Sequence, residues 1–374
     1  MPARCLALVI AGLIAAGSGP AIARPGDIVA SSPLRGAPGR ATATRISYRS
    51  SDADGRGVVV TAAVIVPRGR APRGGRDIVV WTHGASGVAE TCGLSDKPGV
   101  FAQIAGLEAL LAAGNIVVAP DYQGLGNPGP HPFLVGLAAA RTTIDAARAV
   151  RALPAARASA RYAVFGESLG GFSALWAGGE AARHAPELTL VGVAAAAPPT
   201  DLTANLTGGS NAAVRAFLTA YTATSWEQVY GLPLTGVVRP RTATLIRALA
   251  KNCVSLDGFK LRTQIGMLRL ARQLKGVDLA ASPRWGAQMR RNSAPDGIGV
   301  PVFVAQGSAD VIVAPAVTRD FVTRLCRRNA AVRYLPMEGG DHVTAGKRAA
   351  PEAVAWLRDR FAGRPAPSDC ARLG

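Results

Sequence analysis

The chain has 374 residues, 49% of them apolar and 18% charged, which excludes global disorder and leaves room for one large α/β domain with an insertion or for two domains. Its formal charge of +18 invites a nucleic-acid partner. The arginines, however, are spread along the chain with no long basic run and no aromatic-interleaved basic stripe, so no nucleic acid is expected, and what remains is a weak, salt-screened attraction to anionic interfaces.

Residues 1–23 read as a signal peptide. Arg4 gives a positive start, residues 6–16 are an apolar run too short to span a membrane, and Ala21-Ile-Ala23 is a small-x-small cleavage site. Cleavage after Ala23 makes the protein extracellular or periplasmic, and removes Cys5. Four cysteines then remain, Cys92, Cys253, Cys326 and Cys370, an even number that suggests two disulfides among three pairings. None forms a C-x-x-C, so no metal site is expected.

Residues 24–45 are rich in Pro, Gly, Ala and Arg and read as a loose arm. Residues 45–49 and 57–67 read as antiparallel strands joined by a turn. Strand and helix then alternate. Apolar strands at 77–82, 115–119, 161–165 and 188–195 are separated by helical runs at 101–113, 135–153 and 169–182. Such alternation predicts a mostly parallel sheet flanked by helices, an α/β fold. From about residue 199 to 299 the pattern turns mostly helical, with runs at 211–222 and 242–249. It returns to strand at 300–305 and 331–335, with helices at 317–327 and 351–361. The expected organisation is therefore a core formed by 24–198 and 300–374 with a helical cap, 199–299, inserted between two strands.

The strand at 161–165 runs into Gly166-Glu-Ser-Leu-Gly170, the G-x-S-x-G pattern of the nucleophile elbow of the α/β-hydrolase fold, in which a strained turn lifts the serine hydroxyl above the sheet. Alone the pattern is weak in a chain with 43 glycines; its strand–turn–helix setting gives it weight. A serine nucleophile, Ser168 here, needs a base, and the base needs an acid to fix its tautomer. In this fold the order is Ser, acid, His, each beyond the carboxyl end of a strand. Asp310 follows the strand at 300–305 and is the expected acid; His342 follows the last strand and is the expected base. Among the other histidines, His184 is read as solvent-facing, His131 sits in a Pro-rich loop, and His83 precedes the position of a base. Asp341 and Asp296 are the rival acids, one adjoining the base and one preceding its strand. The oxyanion needs two donors. The amide of Leu169 is one, and the loops at His83-Gly84-Ala85 and Asp121-Tyr-Gln-Gly-Leu-Gly126 compete to supply the other.

Taken together, Trp81-Thr-His-Gly84, Pro120-Asp-Tyr-Gln-Gly-Leu-Gly126, Gly166-Glu-Ser-Leu-Gly170, the Asp310 loop and Gly340-Asp-His342 resemble the secretory lipases of the lipase-A type. The resemblance covers the chain from about residue 45 to its end. It implies an oxyanion hole of Asp121 and Leu169, with Ala85 in reserve, and disulfides Cys92–Cys253 and Cys326–Cys370. The inserted segment would shape the acyl pocket, with Phe217, Leu218, Tyr221, Trp226 and Leu232 serving mainly its own core. It offers no long apolar helix that reads as an interfacial lid.

The expected activity is that of a secreted serine hydrolase cleaving carboxylic esters, acylglycerols or shorter acyl esters, through an acyl-enzyme and without cofactor. A peptidase or amidase of the same fold would need paired carboxylates in the inserted segment. The acids there, Asp201, Glu227, Asp257, Asp278 and Asp296, are scattered. A non-catalytic surface-binding protein of this fold has no use for an intact Ser–Asp–His order.

Overall fold

The computed structural model describes residues 24–208, 211–254, 260–328 and 330–373. The expected signal peptide and Asp257 lie outside the described residues. The chain forms β1 (Ile28–Leu34), β2 (Thr42–Ser51), β3 (Gly57–Val66), β4 (Arg76–Thr82), α1 (Val100–Gln103), α2 (Leu107–Ala112), β5 (Ile116–Pro120), α3 (Gly136–Arg151), β6 (Ala158–Glu167), α4 (Leu169–His184) and β7 (Thr189–Ala196). Five α-helices follow: α5 (Leu202–Gly208), α6 (Ala212–Tyr230), α7 (Pro240–Ala250), α8 (Leu261–Gln273) and α9 (Pro283–Asn292). The chain ends with β8 (Val302–Gly307), α10 (Pro315–Arg327), β9 (Val332–Met337), α11 (Ala345–Phe361) and α12 (Cys370–Leu373).

The nine strands among the described residues belong to one sheet in the order β1-β2-β3-β5-β4-β6-β7-β8-β9. From β5 to β9 neighbours are parallel, and β1 to β3 extend the sheet antiparallel. The parallel strands are short Val, Ile and Ala runs buried on both faces. In β4, β5, β7 and β8, Ile78, Val80, Val118, Val193 and Val302 are all inaccessible to solvent. That is the composition a strand covered by helices on either side requires. Helices α3 and α4 pack on one face, and α11 packs on the other against β7, β6 and β8.

Two expectations need correction. Residues 28–34 are not a loose arm but β1, paired antiparallel with β2 from Ile28↔Tyr48 to Leu34↔Ala43. Its side chains are almost all exposed, so backbone pairing holds it rather than an apolar face, and no alternation marks it in the sequence. The helix expected at 101–113 is two, interrupted at Gly106, which has φ +73°. A Cβ there would lie 2.8 Å from Val354 of α11, so the break lets the chain pass close to that helix.

The five α-helices between β7 and β8 share a core with the loops above the sheet. Phe217, Tyr221, Trp226 and Leu232 are buried there with Leu125, Phe133, Leu169 and Phe172. Trp226 stacks on Trp285, with centroids 6.0 Å apart, and its Nε1 donates to Phe133 O at 2.9 Å. Ser225 Oγ accepts from Phe133 N at 2.9 Å and donates to His131 O at 2.7 Å. The Cys92–Cys253 disulfide ties the loop after β4 to the segment between α7 and α8, and Cys326–Cys370 joins α10 to α12.

The Cys92–Cys253 link spans 161 residues, so it removes much unfolded-chain entropy. Replacing both cysteines by serine should lower stability by about 2–4 kcal/mol in urea unfolding while far-UV circular dichroism of the native state is retained. An unchanged midpoint would show that the inserted helices hold without the link.

Candidate active site

The elbow follows from close packing. Strands β4 and β6 run parallel in register Thr82↔Gly166, bringing the first turn of α4 onto the end of β4. A Cβ on Gly166 would lie 2.1 Å from Thr82 Oγ1, and one on Gly170 would lie 1.8 Å from Thr82 O. Thr82 Oγ1 donates to Gly170 O at 2.8 Å, which fastens the turn. Between these glycines Ser168 takes φ 53°, ψ −120°, a conformation few L-residues adopt. Its amide donates to Ala196 O of β7 at 2.9 Å.

Ser168, Asp310 and His342 meet beyond the carboxyl ends of β6, β8 and β9. His342 Nε2 lies 2.8 Å from Ser168 Oγ and its Nδ1 lies 2.8 Å from Asp310 Oδ2. Asp310 is buried, and its Oδ1 accepts from the amides of Ile312 (2.9 Å) and Val313 (2.8 Å). Burial pushes its carboxyl upward, but the His342 hydrogen bond and charge and the two amides outweigh burial and hold it below the usual range. The carboxylate is thus charged and oriented where the imidazole needs an acceptor.

The Asp310 and His342 loops also bind each other. Ala309 N donates to Gly340 O (2.9 Å), Ser308 N to Met337 O (3.0 Å), and Gly339 N to Ser308 Oγ (2.8 Å). One residue here escaped sequence reasoning. Gln306, buried at the end of β8, donates to Asp310 Oδ2 at 3.0 Å and accepts from Thr318 Oγ1 at 2.8 Å. A glutamine in an otherwise apolar strand was the available signal.

The rivals fall elsewhere. Asp341 is exposed and accepts from the amide and hydroxyl of Thr344. Asp296 pairs with Arg328 at 3.6 Å. His184, expected to face solvent, instead places Nε2 2.9 Å from Asp145 Oδ1, because α4 packs on α3. His83 and His131 are buried, and desolvation lowers both, His131 to about 3, so both are neutral.

Of the oxyanion candidates, the Leu169 amide opens α4 directly after Ser168. Asp121 is committed to structure. Its amide donates to Thr61 O at 2.8 Å, and its carboxylate accepts from Thr61 Oγ1 (2.6 Å), Leu94 N (2.6 Å) and Ser95 N (3.1 Å). The Gly84-Ala85 loop lies against the serine, since a Cβ on Gly84 would sit 3.6 Å from Ser168 Cβ. Tyr122 Oη fixes that loop by donating to His83 O at 2.9 Å; burial keeps the phenol protonated by raising it.

A cavity of about 30 Å³ opens beside Ser168. It is lined by Ala85, Phe133, Leu134, Leu169, Pro199, Leu202, Asn205, Leu206, Leu218, Ile312 and Val313. Leu218 is therefore the member of the expected apolar set that reaches it, while Phe217, Tyr221, Trp226 and Leu232 fill the core of the inserted helices.

Glu167 precedes the serine and lies against Gly346 at the start of α11. Desolvation raises its carboxyl to about 7, against the opposing charges of His342 and Lys347.

The sequence profile of the secretory lipases matches residues 99–369. Lipase A of Arthroderma benhamiae is 26% identical over 359 residues, covering 90% of this chain and 74% of that protein. The crystal structure of Candida antarctica lipase A superposes with a TM-score of 0.75 at 15% identity, over 93% of this chain and 84% of that one. A rice cell wall degrading esterase from Xanthomonas oryzae superposes with a TM-score of 0.70 at 18% identity, over 91% and 99%. At these identities the superpositions establish the shared fold.

Glu167 is protonated in folded and unfolded chains well below its ordinary 4.5. As pH rises from there to about 7 the unfolded chain ionises first, so the buried carboxyl withdraws on the order of 3 kcal/mol from stability. Glu167→Gln should flatten the stability profile across that window and unfold at higher urea than the parent at pH 8. A profile parallel to the parent's would sink this assignment.

Proposed function

The chain belongs to the secretory lipase family and is a carboxylic ester hydrolase, and from that premise we propose that it is a secreted serine hydrolase cleaving short acyl esters, acylglycerols among them, through an acyl-enzyme. The observation that carries the reading is His342, within 2.8 Å of both Ser168 Oγ and Asp310 Oδ2. A neutral imidazole with its proton on Nδ1, toward the Asp310 carboxylate, offers an Nε2 lone pair to the serine proton. Ser168 Oγ attacks the ester carbonyl as His342 takes that proton. The tetrahedral oxyanion collapses, the alcohol leaves with the proton from His342, and water activated by the same ring releases the acid.

For the oxyanion we take the amides of Leu169 and Ala85. The Asp121 amide already donates to Thr61 O, and its carboxylate already accepts from Thr61 Oγ1 and from the amides of the 94–95 loop. Ala85 lines the cavity with Ser168 and Leu169, and no hydrogen bond from its amide occurs among the described residues. Secretion is supported by the family and by two disulfides, with residues 1–23 as the cleaved signal peptide. Residues 24–198 and 300–374 form the catalytic core, and 199–299 shape the substrate pocket.

Ser168→Ala should lower p-nitrophenyl butyrate turnover by at least about 10⁴-fold, and Asp310→Asn, which leaves the imidazole with the wrong tautomer, by about 10⁴-fold, both with native thermal unfolding. Turnover that survives Ser168→Ala would overturn the mechanism.

The cavity is small and walled almost entirely by hydrocarbon side chains, so p-nitrophenyl acetate and butyrate should exceed the palmitate ester in kcat/KM by at least about tenfold. A palmitate preference would show that the inserted helices move to admit long chains.

A further inference from the structure

The cavity beside Ser168 is apolar except at one place. Apart from Ser168, every side chain lining it is hydrocarbon but that of Asn205. Asn205 lies on α5 between Leu202 and Leu206, and these three, at i, i+3 and i+4, form the helix face turned to the cavity. Both Oδ1 and Nδ2 of Asn205 are buried, and neither has a hydrogen-bond partner among the described residues. Flipping the amide changes nothing, since neither atom has a partner to exchange. Among the described residues it alone combines lining this cavity with unpartnered buried polar atoms.

A buried carboxamide left unpaired is costly, whereas a hydrocarbon of the same shape would fit this wall without cost. The position thus favours a leucine for stability and carries an asparagine. A carboxamide presents one acceptor and two donors, which a single hydroxyl answers by donating to Oδ1 and accepting from Nδ2.

We propose that Asn205 forms a hydroxyl-binding subsite in the Ser168 pocket, so that the preferred esters carry a hydroxyl on the group that enters it. This rests on the serine-esterase reading above. It narrows the substrate class from short acyl esters to hydroxylated ones, either hydroxyacyl esters or partial esters of polyols. A substrate lacking the hydroxyl leaves the carboxamide unpaired in the bound state, so discrimination arises without a steric clash.

Two substrate pairs separate the sources. p-Nitrophenyl 3-hydroxybutyrate against p-nitrophenyl butyrate reads the acyl side, and glyceryl monobutyrate against propyl butyrate reads the alcohol side. The parent enzyme should favour the hydroxylated member of one pair by at least about tenfold in kcat/KM. Asn205→Leu and Asn205→Ala should both bring that ratio to near one by lowering kcat/KM for the hydroxylated ester more than for the plain one, the alanine variant covering any blockage by leucine. Asn205→Leu should also keep the parental Tm or raise it by about 2–4 °C, which a merely structural asparagine would not allow. Ratios that stay at parental values in both pairs for both variants, or a Tm that drops in Asn205→Leu, would overturn the proposal. Absence of turnover on every ester would instead remove the esterase reading itself, and the subsite with it.

Discussion

The contact between Thr82 and the two elbow glycines is the constraint on which the rest of the site depends. With Thr82 O 1.8 Å from a virtual Cβ on Gly170, no other residue type fits without parting β4 from α4. That closeness lets a ten-residue strand turn directly into a helix and leaves Ser168 at φ 53°. A positive φ at a non-glycine residue costs roughly 1–3 kcal/mol. The parallel register of β4, β6 and β7, the Ser168 amide bond to Ala196 O and the Thr82 hydroxyl bond to Gly170 O hold it in place.

Around that fixed point the fold brings three distant segments together. Asp310 and His342 sit on adjacent strand ends whose loops share backbone hydrogen bonds, so the two loops are tied to each other independently of Ser168. Gln306 and the amides of Ile312 and Val313 occupy the remaining lone pairs of Asp310, which fixes its orientation as well as its charge. Glu167 lies on the other side of the serine, at the foot of α11. Its raised carboxyl links the pH dependence of stability to the helix that follows His342.

The inserted helices contribute a wall rather than a chemical group. They are anchored through Ser225 and Trp226 onto the 131–133 loop and through the Cys92–Cys253 link. Most of their aromatic residues are spent on that anchoring, and Leu202, Asn205, Leu206 and Leu218 remain to face Ser168. These four are the inserted helices' share of the pocket wall, and Asn205 is the one polar side chain among them.

Ser168, Asp310 and His342, which the fold brings together, were legible in the chain because local rules pick them out. A G-x-S-x-G between an apolar run and a helical one, and an Asp and a His each just beyond a strand, need no knowledge of distant contacts. The alternation of strands and helices likewise announced a parallel sheet with an insertion, while β1 was silent because backbone pairing alone holds it. Only tertiary structure decided where Asp121 spends its hydrogen bonds, that His184 turns in to Asp145, and that Gln306 braces Asp310. It alone decided that Asn205 faces the serine unpaired. These depend on which loops lie side by side after folding, and spacing along one chain does not record distances between segments brought together by the sheet.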